Sequence, residues 1–213
     1  MTEAEIKSAS EQTRMRLLQA AREVFSERSF QGATVREICR RAQANVAAVN
    51  YHFGSKDGLL AEALNFAPLA ALQKANVKSA ECPRMRLRLF LHGFMLMLLD
   101  EKNSSSQCRI MVRELADPTP ALDKIVREAI APLHEFLGNL LREIIGNDIS
   151  EAELRRCVHS IVGQCLFYRH SHPVLQRLHP RLRYDHREIE AISEHIAEFS
   201  LAGITHLEKI KKR

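Results

Sequence analysis

Asn45, Asn50, Tyr51, His52 and Lys56 lie in one short stretch of the chain, and their side chains share one kind of chemistry. A carboxamide presents a donor beside an acceptor, which matches the major-groove edge of adenine, and the methyl groups of Val46 can meet the methyl of thymine. Phenol, imidazole and ammonium groups donate to phosphate oxygens, which positions a protein on a duplex without reading its sequence. Ala47 and Ala48 are small enough to let a helix lie close to a neighbour or to a groove wall. Upstream, Thr34 at a helix start offers a hydroxyl and free backbone amides to a further phosphate. The chain has no G-x-S-x-G, Walker, H-E-x-x-H or glycine-rich dinucleotide signature. The pattern therefore points to binding of double-stranded DNA rather than to an enzyme, and no cofactor is expected.

Such side chains work only if short helices hold them. From Ser10 to Arg28 the apolar residues Leu17, Ala21, Val24 and Phe25 recur at helical spacing, and Ser29-Phe30-Gln31-Gly32 breaks the helix. Thr34 then stands as an N-cap before Val35, Ile38, Cys39 and Ala42, with Glu37 placed to complete a capping box. A tight turn at Gln43-Ala44 leads to Asn45, a second N-cap, and to about two helical turns ending near Phe53. Val35, Ile38, Val49 and Phe53 face inward and lock the two helices together. Asn45, Val46 and Asn50 then face outward. Gly54 punctuates, Ser55 can cap again, and a helix is expected from Lys56 to about Lys78.

The remainder reads as longer, more apolar helices. These cover Arg84 to Asp100, Gln107 to Leu115, Pro120 to Ile145 with a kink at Pro132, Ser150 to His170, and His186 to Ile210. Ser171 to Asp185 is a proline-bearing loop with a short helical turn at Val174 to Leu178. The fold class expected is all-α: an N-terminal three-helix helix-turn-helix DNA-binding domain over residues 10–56 and a larger helical ligand-binding and dimerisation domain over 57–213.

Charge adds little. The net charge is +5, but residues 1–60 hold nine Lys/Arg against seven Asp/Glu, so the N-terminal part is only slightly basic. Five scattered cysteines without a C-x-x-C pair argue against a disulfide framework or zinc ribbon and fit a reducing cytoplasm. No signal segment or bilayer-length apolar run is present, so a cytoplasmic protein without a membrane partner is expected.

Other side chains invite chemistry and are weighed against plainer roles. His170, His172, His179 and His186 could ligate a metal, but their spacing lacks i, i+4 pairing and a proline loop explains them as solvated, so no metal is expected. Cys157 and Cys165 lie two turns apart on one helix face, where core packing is the default for a free thiol and a redox switch the lesser reading. His92, Phe94 and Met97, with Phe167, could line a hydrophobic effector cavity, although such a run is more often core. The competing class is a metal- or redox-responsive helical protein that does not bind DNA.

The stretch Thr34-Val-Arg-Glu-Ile-Cys-Arg-Arg-Ala, followed by Asn45-Val-Ala-Ala-Val-Asn-Tyr-His-Phe-Gly-Ser-Lys56, resembles the helix-turn-helix of the TetR/AcrR family of bacterial repressors, most diagnostically in its Tyr-His-Phe-Gly-Ser-Lys ending. The resemblance implies phosphate contacts by Thr34, Tyr51, His52 and Lys56, with Arg36 in the same DNA-facing set, and a major-groove position for Asn45, Val46, Ala47 and Asn50. Members usually carry Gly where this chain has Gln43, so the turn must form without a residue at ease with positive φ. Arg113-Glu-Leu-Ala-Asp-Pro-Thr-Pro-Ala-Leu122 and Ser160-Ile-Val-Gly-Gln-Cys-Leu-Phe-Tyr168 are similar to the CecR-like (YbiH-like) branch. That resemblance implies repression of a palindromic operator, release by a small hydrophobic or drug-like effector, and a homodimer joined through about 150–170 and 186–210. Efflux or transport genes are the targets such regulators often govern.

Overall fold

The computed structural model describes residues 3–64, 82–99, 101–146 and 148–211, and every regular element among them is helical. They belong to two compact units. The first holds residues 1–65 with 105–128, and the second holds 66–104 with 129–213.

In the first unit, α1 (Glu3–Gly32) is interrupted at Ser29, whose φ of 63° and ψ of 173° are non-helical. The interruption falls within the expected Ser29–Gly32 break. It turns the chain into α2 (Val35–Ala42), α3 (Val46–Phe53) and α4 (Lys56–Leu64). Sequence periodicity carries α4 to about Lys78; the part beyond Leu64 lies outside the described residues. Leu17, Ala21, Val24 and Phe25 of α1 bury against Ile38 and Ala42 of α2, Val49 and Phe53 of α3 and Leu59 and Leu60 of α4. Each Leu, Val, Ile or Phe side chain among them contributes about 1.5–3 kcal/mol of transfer free energy. Polar ties add direction: Arg22 Nε donates to the Ala63 carbonyl at 3.0 Å, and Arg14 pairs with Glu62.

This unit also contains chain that the sequence assigned to the larger domain. Helix α6 (Glu101–Ala116) delivers Arg113, whose Nη1 donates to the Phe25 carbonyl at 3.2 Å. Asp117 Oδ2 accepts from Gln31 Nε2 at 3.2 Å, and the short α7 (Ala121–Ile125) packs on α4. Periodicity reports which face of a helix is apolar, not which partner it meets, so a boundary read from sequence near residue 56 could not anticipate this.

The second unit comprises α5 (Pro83–Leu99), α8 (Ala131–Ile145), α9 (Glu151–His170), α10 (His172–Leu178) and α11 (His186–Lys211). Leu87, Phe90, Leu91 and Met95 of α5, all fully buried, meet Ile189, Ile192 and Ile196 of α11, Leu137 and Leu141 of α8, and Ile161 and Cys165 of α9. The expected kink at Pro132 takes the form of a π-helical turn, Val126–Ile130, just before α8. Proline lacks an amide donor and its ring crowds the carbonyl four residues back, so the preceding turn widens. α9 begins with a full capping box between Ser150 and Glu153. No described helix is long and apolar enough to cross a membrane.

Candidate nucleic-acid interface

The expected reading helix forms with its two faces separated. Asn45 caps α3, its Oδ1 accepting from the Ala47 amide at 2.9 Å. Val49 and Phe53 are buried beneath the helix, while Asn45, Val46, Ala47, Asn50 and Tyr51 are exposed on its outer side. Tyr51 is 79% exposed and meets the His52 ring edge-on at 4.8 Å. An apolar tyrosine face left this open, beside two carboxamides, is not explained by packing within the unit.

The turn before α3 forms on Gln43, whose φ of 50° and ψ of 48° are left-handed. Its amide donates to the Arg40 carbonyl at 3.3 Å and the Ala44 amide to that of Cys39 at 3.0 Å. The Cys39 thiol reaches the Asn45 carbonyl at 3.6 Å, and burial pushes that thiol's pKa up. A turn of this shape favours glycine, and here it is formed by a residue that bears a Cβ.

Thr34 caps α2, its Oγ1 accepting from the Glu37 amide at 3.2 Å. The reciprocal half of the expected capping box is diverted. The Glu37 carboxylate accepts from Arg40 (3.0 and 2.9 Å) and from Arg41 Nε (2.9 Å). Charge-assisted bonds to guanidinium outweigh one to a neutral amide. Arg40 first, then Arg41, hold the Glu37 carboxyl down to about 2. Arg41 also donates to Glu27 of α1 through its two terminal nitrogens, Nη1 and Nη2, at 3.0 and 2.8 Å. Arg36 is exposed and makes no side-chain hydrogen bond or ion pair among the described residues, so its guanidinium is available to a phosphate.

Lys56 stands apart from the other expected phosphate contacts. Its Nζ donates to the Phe30 carbonyl at 2.5 Å and lies 4.1 Å from the centre of the Phe30 ring. Burial moves its pKa down, opposed by the nearby Asp57. One structural residue of this joint was not singled out in the sequence. A Cβ on Gly58 would lie 2.1 Å from the Phe53 carbonyl oxygen, so the start of α4 can approach the end of α3 only where a glycine stands.

The four residues expected around an effector do not share one role. Phe94 is buried and stacks on Phe90 at 5.6 Å, Met97 is half-buried, and His92 Nδ1 lies 3.3 Å from Ser193 Oγ. Phe167 is 52% exposed on α9. A sequence stripe identifies an apolar position without saying whether solvent or a neighbour covers it. Among the described residues no group of three His, Cys, Asp or Glu is placed to hold a metal ion.

A helical head with an outward, amide-bearing third helix, in a chain that also forms a separate helical unit, defines a DNA-binding transcriptional regulator of the helix-turn-helix class. Residues 17–63 match the family of bacterial regulatory proteins named for TetR, and residues 83–204 match the C-terminal domain of the HTH-type transcriptional dual regulator CecR. The chain thus belongs to the TetR family of bacterial transcriptional regulators, with a CecR-type C-terminal domain. It is 29% identical over 171 residues to the HTH-type transcriptional dual regulator CecR of Shigella flexneri, covering 75% of this chain and 76% of that protein. Among solved structures it is similar to the transcriptional regulator FadR from Bacillus subtilis in complex with stearoyl-CoA, with a TM-score of 0.67 and 17% identity over 89% of this chain and 98% of that one. AibR in complex with isovaleryl coenzyme A and operator DNA gives a TM-score of 0.64 and 17% identity over 88% and 97%. At these identities the two structures speak for the fold alone.

Proposed function

We propose that this regulator is a homodimeric, cytoplasmic repressor that occupies a palindromic operator and leaves it when a small hydrophobic effector enters the second unit. The observation that carries the DNA reading is the division of α3: Val49 and Phe53 buried on one side, and Asn45, Val46, Ala47, Asn50 and Tyr51 open on the other. Asn45, Val46, Ala47 and Asn50 take the base edges, while Thr34, Arg36, Tyr51 and His52 hold phosphates. Lys56 adds its charge to that set and also fastens the start of α4 to Phe30.

A single head spans half a site, so a two-fold pair is needed for a palindrome. The outer faces of α9 and α11 support that pairing. Phe167 is 52% and Phe199 65% exposed, and Gly163 and Gly203 have open space where a Cβ would stand. The two helices are tied side by side by Gln164 Nε2 donating to Ser200 Oγ at 3.2 Å. Exposed phenyl rings beside glycines suit close approach of a second copy.

His92, Phe94, Met97 and Phe167 are the proposed effector contacts in the second unit, and the CoA thioesters bound in the FadR and AibR structures are the first compounds to try. Control of efflux or transport genes belongs to this reading as well. An effector shifts the protein only as far as it binds the two states unequally. The test is a gel-shift titration on the chain's own upstream DNA at physiological salt. A shift that survives nonspecific competitor and is reversed by an effector supports the reading; binding without sequence preference defeats it.

A further inference from the structure

The first unit contains a half-open cavity of about 380 Å³ that the DNA-binding reading does not use. It lies between the end of α1 and α6. Phe25, Phe30, Leu60 and Ile110 form its apolar side, and Glu114, Asp117, Arg28 and Arg113 are among its polar lining. The volume falls at the small end of the range for organic ligands.

Glu114 sets the chemistry. It is 3% exposed, and no other Asp, Glu, Lys or Arg among the described residues is buried to this degree. Its Oε1 accepts from the Thr119 amide at 2.8 Å and from Thr119 Oγ1 at 2.7 Å, which holds the Asp117-Pro-Thr-Pro turn. Among the described residues its other oxygen has no hydrogen-bond partner and its carboxylate no ion pair. That oxygen is therefore not sealed from solvent but opens where a counter-charge can reach it, and a carboxylate largely withdrawn from water gains from one. Of the cations nearby, Arg113 Nη1 donates to the Phe25 carbonyl, Arg41 pairs with Glu27 and Lys56 sits on Phe30, while Arg28 lines the cavity on the side of Glu27, whose carboxyl it helps to hold down. Asp117, at the same rim, spends one oxygen on Gln31.

We propose that this cavity binds a protonated amine with a compact apolar body. The ammonium group meets the open oxygen of Glu114 with Asp117 beside it, and the body lies on Phe25, Leu60 and Ile110. This site is separate from the effector site proposed for the second unit. Its occupant would touch the last turn of α1 and the end of α6 together.

The test is calorimetric titration of the full chain, without DNA, using phenylbutylamine, its neutral analogue phenylbutanol and its anionic analogue phenylbutyrate. The amine should bind once per chain and at least about tenfold more tightly than either analogue, the scale of one charge-assisted bond. Glu114→Gln keeps an acceptor for Thr119 and should weaken the amine about tenfold or more, with unchanged circular dichroism. Ala116→Trp narrows the cavity with Glu114 intact and should also abolish binding. If Glu114→Gln lowers helicity, Ala116→Trp decides alone. Equal binding of all three compounds, preference for the anion with loss in Arg28→Gln, or amine binding unaffected by Ala116→Trp would each overturn the proposal. None of these readouts depends on operator binding.

Discussion

Lys56 lies with its ammonium 2.5 Å from the Phe30 carbonyl oxygen and 4.1 Å above the Phe30 ring. The contact closes the head: Phe30 follows the left-handed break at Ser29, and Lys56 opens α4. Removing the side chain strips a carbonyl of its donor and a ring of its cation, each worth about 1 kcal/mol or more when partly desolvated. Lys56→Ala should therefore lower the melting temperature by several degrees as well as weaken DNA binding on every operator. Arg36→Ala, by contrast, removes an exposed guanidinium with no partner among the described residues. It should leave the melting temperature within about 1 °C and reduce the salt dependence of DNA binding by about one charge. A Lys56→Ala protein as stable as the parent would remove the bracing role.

On α3 the two exposed residues Asn50 and Tyr51 should fail differently. Asn50→Ala ought to change the ranking of operator variants by about 1–3 kcal/mol at one base-pair position, because a carboxamide reads an adenine edge. Tyr51→Phe, which keeps the ring and removes only the hydroxyl, should weaken all variants alike. Binding arrays across single-base operator changes separate the two, and uniform loss for Asn50→Ala would refute base reading by that residue.

Gly58 gives a stability test without DNA. The Cβ of Gly58→Ala would lie 2.1 Å from the Phe53 carbonyl oxygen, and backbone cannot yield there as a flexible side chain could. Overpacking of this kind costs about 1–3 kcal/mol, which for a chain of this size lowers the melting temperature by several degrees. An unchanged melting temperature would mean that α3 and α4 separate freely.

Much of the head was legible because its signals are local. Thr34 and Asn45 cap the helices they precede, and both act through oxygens that sequence alone identifies as N-caps. What escaped depends on chain distant in sequence. Lys56 finds Phe30 and Arg113 finds Phe25, whereas Glu37 is a local exception, its carboxylate taken by Arg40 and Arg41 three and four residues on rather than turned back to Thr34. Phe167 shows the same limit from the other side: its apolar character alone could not say that its position on α9 leaves it 52% exposed. Gln43 met the turn's demand for positive φ without glycine, where the backbone hydrogen bonds of Gln43 and Ala44 to Arg40 and Cys39 close the turn that the residue type disfavours.

The brace between α1 and α2 makes the head sensitive to acid. Arg40 and Arg41 hold the Glu37 carboxyl down to about 2, and Arg41 likewise lowers that of Glu27. A carboxyl depressed in the folded state adds stability above the usual carboxylate range and loses it as pH falls toward the folded value. Glu37→Gln should therefore be less stable than the parent at pH 7. The difference should shrink as pH falls below the ordinary value of 4.5 and disappear near the folded value of about 2. Arg41→Gln should show the same convergence and a larger loss at neutral pH, since it frees both Glu27 and Glu37 from one guanidinium. Thermal melts at several pH values at low salt measure this, and adding salt should reduce the neutral-pH difference because the pairs are open to solvent. A difference between parent and Glu37→Gln that stays constant from neutral to strongly acid pH would show that the carboxylate's charge does not hold α2 in place.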